Sequence, residues 1–227
     1  MLDPIVPAWK IASGDLDHEP LLRCCAATGK PVILSTGACD LHGVRRSVAL
    51  LRAEGATAVA LLHCVLAYPS PDEAMNLRAM STLAPLADAV GWSDHALGID
   101  VAVAAVAAGA RIIEKHFTLD KTRTSFRDHA LSADPQDLRT MIERVRAVER
   151  WLGSSTKGIT DAESGAVAAR RGAYAARDLP AGTVLAEHDI AWLRPSNGVT
   201  PRDLARLVGR PLPRAVMAHE PIPLPGT

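Results

Sequence analysis

Five short apolar segments alternate with helical patterns along the first two thirds of the chain, and this alternation constrains the fold most. The segments recur about every 25 residues, the length of one βα unit. Each is continuous and bounded by turn residues, as in strands buried on both faces. The pattern predicts an α/β fold with a parallel sheet, either doubly wound or a (βα) barrel. The segments are 9–12, 31–34, 58–62, 89–92 and 111–113.

Helices are predicted between and after these strands. No GxGxxG follows any of the strands, which counts against a dinucleotide-binding half. The last helix has the clearest boundaries, with Asp134 as N-cap, Pro135 at the first helical position and Gly153 after its end. The other predicted helices are 21–27, 40–55 with Asp40 as N-cap, 72–86 and 99–108.

The sequence changes character after Gly153. Ser and Gly residues predict a linker over 154–164, and short β-like pieces broken by Pro and Gly predict a second, β-rich domain over 165–227. The first domain then covers 1–153. A unit as small as the second is marginally stable alone and is expected to pack on a partner surface.

Composition excludes several classes of protein. The chain has 25 Lys and Arg against 25 Asp and Glu, so the positive charge of a dedicated nucleic-acid binder is absent. No apolar run approaches the roughly 20 residues that span a bilayer, and Met1-Leu-Asp-Pro4 does not begin a signal peptide. The four cysteines form no CxxC pair, and Cys64 is interpreted as a small buried hydrophobe. A reduced, cytoplasmic protein is predicted.

Chemically versatile side chains follow each predicted strand, where the active sites of (βα) barrels lie. Glu114 and His116 are two residues apart and therefore face the same way, whereas Lys115 faces the opposite way. His63 is ambiguous and is expected only to line the pocket. The residues at the strand ends are Lys10, Ser13, Ser35, Thr36, His63, Ser93, Asp94, His95, Glu114 and His116.

Two of these residues suggest a metal site. If the fourth and fifth strands are neighbours, His95 and His116 can approach one ion and leave open positions for substrate oxygens and water, as in catalytic sites. Glu114 is then a metal ligand, a hydrogen-bond acceptor from a metal ligand, or a general base. Lysine and serine donors at the same rim suit a phosphate or a carboxylate, and these donors are Lys10, Ser13, Ser35 and Ser93.

These motifs, in their order and spacing, resemble the sialic acid synthase (N-acetylneuraminate synthase) family over essentially the whole chain. The C-terminal segment resembles that family's antifreeze-like (SAF) domain, a β-clip-like fold, through Arg170-Arg171, 175–178, Arg194-Pro195 and Asn197-Gly198. The motifs of the first domain are 10–14, 30–37, 62–64 with Tyr68-Pro69, Asn76-Leu77, 93–95, 114–116, Asp128-His129 and Ser132.

The resemblance implies a transferase that joins phosphoenolpyruvate to an N-acetylated sugar aldehyde, making a nine-carbon 2-keto acid and releasing phosphate. It implies that His95 and His116 hold Mn²⁺ or Mg²⁺, which polarises the aldehyde, and that Glu114 sits near the reacting carbons. Phosphoenolpyruvate is assigned to Lys10, Ser13, Ser35 and Ser93, and the sugar to Asp15, Tyr68 and Asp128.

The resemblance also implies a domain-swapped homodimer in which Arg194 contacts the sugar bound in the other subunit. Three positions depart from the family pattern. Asp15 stands where the family usually has Glu, Leu66 occupies a usually small and polar position, and Phe126-Arg127 replaces Gly-Pro.

Length sets a further expectation. A (βα)8 barrel takes roughly 250 residues, so the first domain is expected to hold an incomplete barrel and to be inactive alone. The resemblance implies that it holds the last five βα units. A fragment of a synthase, one half of a split enzyme and a non-catalytic binding or dimerisation module are the alternatives. Another metal-dependent aldolase is a fourth, although it leaves the β-rich domain unexplained.

Overall fold

The computed structural model describes residues 2–123, 126–196 and 199–223. The chain divides into two compact units, Met1–Gly153 and Ser154–Thr227. Asn197 and Gly198, which contribute to the resemblance, lie outside the described residues. No helix in the described part of the chain is both long enough and apolar enough to cross a bilayer.

The first unit contains one five-stranded parallel sheet, which confirms the predicted α/β fold. Its strands stand in chain order, β1-β2-β3-β4-β5, with no reversal. A doubly wound sheet reverses direction at its switch point, so that alternative is wrong and the sheet is a half-barrel. The strands are β1 (Trp9–Ile11), β2 (Val32–Ser35), β3 (Val59–Cys64), β4 (Ala89–Asp94) and β5 (Ile112–Lys115).

Helices follow the strands, and two of them begin where the capping residues predict. The Asp40 side chain accepts from the Gly43 amide at 2.8 Å, and the Asp134 side chain accepts from the amides of Gln136 and Asp137. The helices of this unit are α1 (Glu19–Ala26), α2 (Leu41–Ala53), α3 (Ala79–Leu83), α4 (Asp100–Ala107), α5 (Arg127–Leu131) and α6 (Pro135–Leu152).

The predicted continuous helix over 72–86 is wrong. The segment forms a 3-10 turn at Asp72–Ala74, the short helix α3, and a second 3-10 turn at Ala84–Leu86. Asn76 has a φ of 41°, and this left-handed conformation interrupts a right-handed helix. Pro85 lies in the second 3-10 turn, where it lacks the amide that a continuing helix needs.

The two faces of the sheet have different roles because side chains alternate along each strand. One face carries the apolar side chains that pack under the helices, including Leu34, Leu61 and Trp92. The inner face of the half-barrel carries the alternate residues. Ser93 of β4 pairs in register with Glu114 of β5, so these two side chains lie side by side on that face.

The second unit is small and β-rich, with strands β6 (Gly172–Ala175) and β7 (Ile190–Leu193) paired antiparallel. Isolated bridges such as Leu179–Val216 and Val184–Pro211 replace longer strands, because frequent prolines cannot donate to a ladder. A 3-10 turn leads into helix α7 (Leu204–Leu207). Its core is its own and includes Ala173, Leu179, Leu185, Leu207, Leu212, Val216 and Ile222.

Candidate active site

A cavity of about 430 Å³ opens at the carboxyl ends of the five parallel strands. Its volume lies in the range of small-molecule sites. Polar side chains from β1, β2, β4, β5 and their following loops reach it, as predicted for the rim of a (βα) barrel. The lining residues are Lys10, Ala12, Ser13, Gly14, Ser35, Leu66, Tyr68, Ser93, Asp94, His95, Glu114, Lys115 and His116.

The Glu114 carboxylate lies among the donors on one side of the cavity. The Ser93 hydroxyl donates to Oε2 of Glu114 at 2.6 Å, and the Ser35 hydroxyl is 3.4 Å from the same oxygen. Nζ of Lys10 is 3.4 Å from Oε1, and it also donates to the Ile11 carbonyl at 2.9 Å. Three of the four predicted anion donors therefore surround one carboxylate.

Ser13, the fourth donor, is held by the loop after β2. The Gly37 amide donates to the oxygen of the buried Ser13 at 2.9 Å, and the Ser13 hydroxyl also hydrogen-bonds the Cys64 sulfur. A Cβ added to Gly37 would lie 2.9 Å from the same oxygen and 3.2 Å from Cβ of Leu66. Glycine is therefore needed at position 37 for this close approach.

His95 is held in one tautomer. Its Nδ1 lies 2.9 Å from the Val65 carbonyl, which can only accept, so Nδ1 carries the proton and Nε2 keeps its lone pair. Burial lowers the pKa of this imidazole, so the neutral form is favoured. The Ser70 amide donates to the His95 carbonyl at 3.0 Å. This arrangement is typical of metal-binding histidines.

His116 lies beside His95, with ring centroids 5.3 Å apart. Oδ2 of Asp128, at the start of α5, is 3.8 Å from Nδ1 of His116. The Tyr68 ring lies 4.0 Å from the His95 ring and 5.8 Å from the His116 ring, between centroids. The predicted histidine pair and two of the predicted sugar-facing residues, Tyr68 and Asp128, are thus brought together.

This donor set fits a divalent ion that binds imidazole and keeps open positions. Two imidazoles from neighbouring strand ends can coordinate one divalent transition-metal ion, and His95 already has the tautomer that leaves one nitrogen available. Within 2–123, 126–196 and 199–223 there is no group of three or more His, Cys, Asp or Glu side chains that could hold a metal. Substrate oxygens and water would complete the coordination.

A buried ion pair ties the two histidine-bearing strand ends together, and the sequence did not predict it. Nζ of Lys115 lies 2.8 Å from Oδ2 of Asp94 and donates to the Ala96 carbonyl at 2.8 Å. The other Asp94 oxygen accepts from the Ala96 amide. Both charged side chains are at most 3% exposed. The predicted opposite direction of Lys115 is the only signal that could have suggested this pair.

Arg127 also reaches the site without having been predicted to do so. Its guanidinium carbon lies 4.7 Å from the centroid of the Tyr68 ring, a cation–π distance. Burial raises the pKa of the Tyr68 phenol, so it stays protonated. The unusual Phe126-Arg127 pair next to Asp128 was the available signal. Arg127 adds a positive charge where a Gly-Pro pair would place none.

Other expected residues lie elsewhere. His63 faces the helices, with Nε2 3.0 Å from the Met75 carbonyl and its ring 5.2 Å from that of Trp92. It therefore lines a different cavity, and the expectation that it lines this pocket is wrong because its position in β3 points it to the opposite face. Asp15 is exposed and does not line the cavity. Arg194 belongs to the second unit.

Residues 1–157 match the NeuB family, and residues 170–225 match the SAF domain. The chain belongs to the NeuB family. The predicted resemblance to sialic acid synthases with a C-terminal SAF domain is thereby confirmed.

Similar NeuB-family proteins include an uncharacterized protein of Methanocaldococcus jannaschii, 45% identical over 90% of this chain and 61% of its own length. The N,N'-diacetyllegionaminic acid synthase of Legionella pneumophila is 39% identical over 90% of this chain and 59% of its own length. The chain thus spans about three fifths of the length of these relatives.

A solved structure supports the same assignment. The N-acetylneuraminic acid (sialic acid) synthetase of Leptospira borgpetersenii, solved in complex with citrate, superposes with a TM-score of 0.67 at 34% identity. The match covers 72% of this chain and 57% of that one. Relatives of named activity in this family are acid synthases.

Proposed function

We propose that this chain carries the metal-binding and phosphoenolpyruvate-binding face of a synthase that condenses phosphoenolpyruvate with an N-acetylated sugar aldehyde resembling N-acetylmannosamine. The observation that carries the proposal is that one cavity is lined both by donors for an anion and by a pair of imidazoles. Lys10 and serines offer donors for an anion, and His95 and His116 offer neighbouring imidazoles. Membership of the NeuB family, whose named relatives are acid synthases, supports this substrate class.

The proposed parent fold is a (βα)8 barrel of which this chain holds five βα units. The strict chain order of the five parallel strands supports this, because the strands of a barrel stand in that order. The inner face lined by Ser35, Ser93 and Glu114 corresponds to the interior of such a barrel. The likeness to a solved sialic acid synthetase agrees with it.

In the proposed reaction, Lys10 and the hydroxyls of Ser13, Ser35 and Ser93 bind the phosphate and carboxylate of phosphoenolpyruvate. A lysine supplies a mobile positive charge for such groups, and serine hydroxyls supply oriented donors. Holding both anionic groups places C2 and C3 of the substrate over the inner face of the sheet. The Tyr68 phenol, protonated and beside Arg127, offers a donor to the sugar.

The bond formed is between C3 of phosphoenolpyruvate and the aldehyde carbon, and the bond lost joins phosphate to the substrate after water adds at C2. His95 and His116 would hold a divalent ion, which when bound polarises the aldehyde oxygen as a Lewis acid. Glu114 borders the anion-binding side of the cavity, and from beside a bound substrate its carboxylate can accept a proton from the attacking water. The product is a nine-carbon 2-keto acid.

The proposal includes a homodimer in which Arg194 of one copy contacts the sugar bound by the other. Arg194 follows β7, and the Tyr174 hydroxyl donates to the neighbouring Pro195 carbonyl at 2.7 Å. This hydrogen bond gives the segment that carries Arg194 a defined position on its own unit. Sedimentation of the protein tests the dimer, with a monomer at micromolar concentration contradicting it.

Phosphate release tests the reaction. The chain is assayed alone and joined to the part of the Legionella relative that it does not match, with phosphoenolpyruvate, Mn²⁺ and a panel of N-acetylated hexoses. Release that requires both substrates is expected from the joined protein. Release without sugar, or from neither protein with any sugar, would contradict the proposal, and cleavage of a 2-keto sugar acid without phosphate chemistry would indicate an aldolase.

Alanine at His95 or at His116 is expected to lower the sugar-dependent phosphate release at least about a hundredfold, because each removes an imidazole from the proposed metal site. His63→Ala is the matched control, since His63 faces the helices and contacts Met75. Mn²⁺ binding, followed by electron paramagnetic resonance, should weaken in the first two variants. Equal binding in all three proteins would place the metal elsewhere.

A further inference from the structure

The anion donors of the cavity are already engaged by a side chain of the same protein. Ser93 donates its hydroxyl proton to Glu114 at 2.6 Å, the distance of a charge-assisted hydrogen bond. A serine hydroxyl has only one proton, so in this arrangement Ser93 has none left for a substrate oxygen. Lys10 neutralises the same carboxylate from the other side at 3.4 Å.

We propose that Glu114 is an internal competitor for the anionic group of the substrate, holding its place on Lys10, Ser35 and Ser93 until the substrate displaces it. The inference rests on the proposed function, which assigns phosphoenolpyruvate to these donors. A carboxylate and a phosphate cannot share them, because two like charges on one donor set repel each other. Glu114 therefore lowers the affinity for the anion in addition to any role in the reaction.

The structure also leaves the Glu114 side chain room to move away from Lys10, Ser35 and Ser93. Its side chain is 39% exposed, so the carboxylate can leave the donors by rotating into solvent, where water hydrates it. Ser13 is not part of the competition, since it contacts the Gly37 amide and the Cys64 sulfur and not Glu114. An arriving anion can therefore bind first to Ser13 and then replace Glu114 at the other donors.

Calorimetric titration of the metal-free protein with phosphoenolpyruvate tests the proposal, with inorganic phosphate and pyruvate as separate arms for the two anionic groups. Glu114→Gln removes the charge that pairs with Lys10, and we expect it to bind phosphoenolpyruvate about tenfold more tightly. Glu114→Asp keeps the charge but shortens the side chain away from Ser93, and we expect it also to bind more tightly than the wild type.

Glu54→Gln is the matched control, because it removes one carboxylate of the same unit that pairs with Arg23 away from the cavity. Thermal unfolding checks that each variant is folded. Equal or weaker binding by Glu114→Gln, the same gain in Glu54→Gln, or no binding of any anion by any variant would overturn the proposal. Tighter binding by Glu114→Gln, together with no phosphate release by the unsubstituted protein in the synthase assay, would instead retain the competitor and refute the proposed function.

Discussion

At the scale of single residues, the site depends on contacts that orient its side chains as much as on the side chains proposed to react. His95 has its tautomer set by the Val65 carbonyl, and Ser13 is positioned by the Gly37 amide. The buried pair of Asp94 and Lys115 holds the backbone of Ala96 on both its amide and its carbonyl. Position 95 is thus fixed from several directions before any ligand arrives.

Lys115→Met is expected to destabilise the first unit by about 3–5 kcal/mol, because it leaves the Asp94 carboxylate buried without its counter-charge. The measurement is the free energy of unfolding by urea. Lys121→Met is the matched control, since Lys121 pairs with Asp134 and Asp137 while 36% exposed, and such pairs contribute about 0–1 kcal/mol. Similar losses in both variants would contradict the special role of the buried pair.

Residue types at strand ends were predictable from the sequence, whereas their partners were not. Alternation along β5 correctly placed Glu114 beside Ser93 on the inner face and Lys115 in the buried ion pair. That Glu114 lies on the anion donors, and that Arg127 covers Tyr68, depends on distances between segments far apart in the chain. Local patterns carry no information on such distances, whereas the direction of His63 follows from its position in β3.

At the scale of elements, the half-barrel follows from short apolar strands and well-capped helices. The strands and four of the helices were predictable because periodicity and caps are local signals. The broken helix over 72–86 was not, since its interruption comes from one left-handed residue, Asn76. Gly91 shows a tertiary constraint inside a strand: an added Cβ would lie 2.3 Å from the Ile112 carbonyl oxygen and 2.6 Å from Leu62.

Gly91→Ala is therefore expected to destabilise the sheet by about 1–3 kcal/mol, because the methyl group meets backbone that is fixed by pairing on both sides. Thermal and urea unfolding measure the effect. Gly14→Ala is the control, as a Cβ there has nothing within 4 Å. An unchanged stability of Gly91→Ala would show that β4 and β5 can separate without cost.

At the scale of the whole molecule, two units with separate cores are joined by an exposed stretch. Every residue from Trp151 to Arg171 is exposed, and the division of the chain falls within it, between Gly153 and Ser154. The family match ends at residue 157 and the SAF match begins at residue 170.

A lysine-specific protease is expected to cut first after Lys157, because exposed backbone outside a core is the preferred site of cleavage. Mass spectrometry of the early products should show 1–157 and 158–227. Lys157→Gln should slow the first cut strongly. First cleavage after Lys10, Lys115 or Lys121 instead would show that the first unit opens more readily than the joining stretch.

The alternation of side chains along β5 makes this strand less tolerant of an inserted or deleted residue than of a substitution. Its residues serve two faces at once, with Glu114 in the cavity and Lys115 in the ion pair behind it. A single inserted or deleted residue would exchange these faces. A lysine would then enter the cavity, and a carboxylate would be buried against Asp94. A change in the length of β5 by one residue would therefore disrupt the site and the buried ion pair together, whereas a substitution in this strand affects one of them.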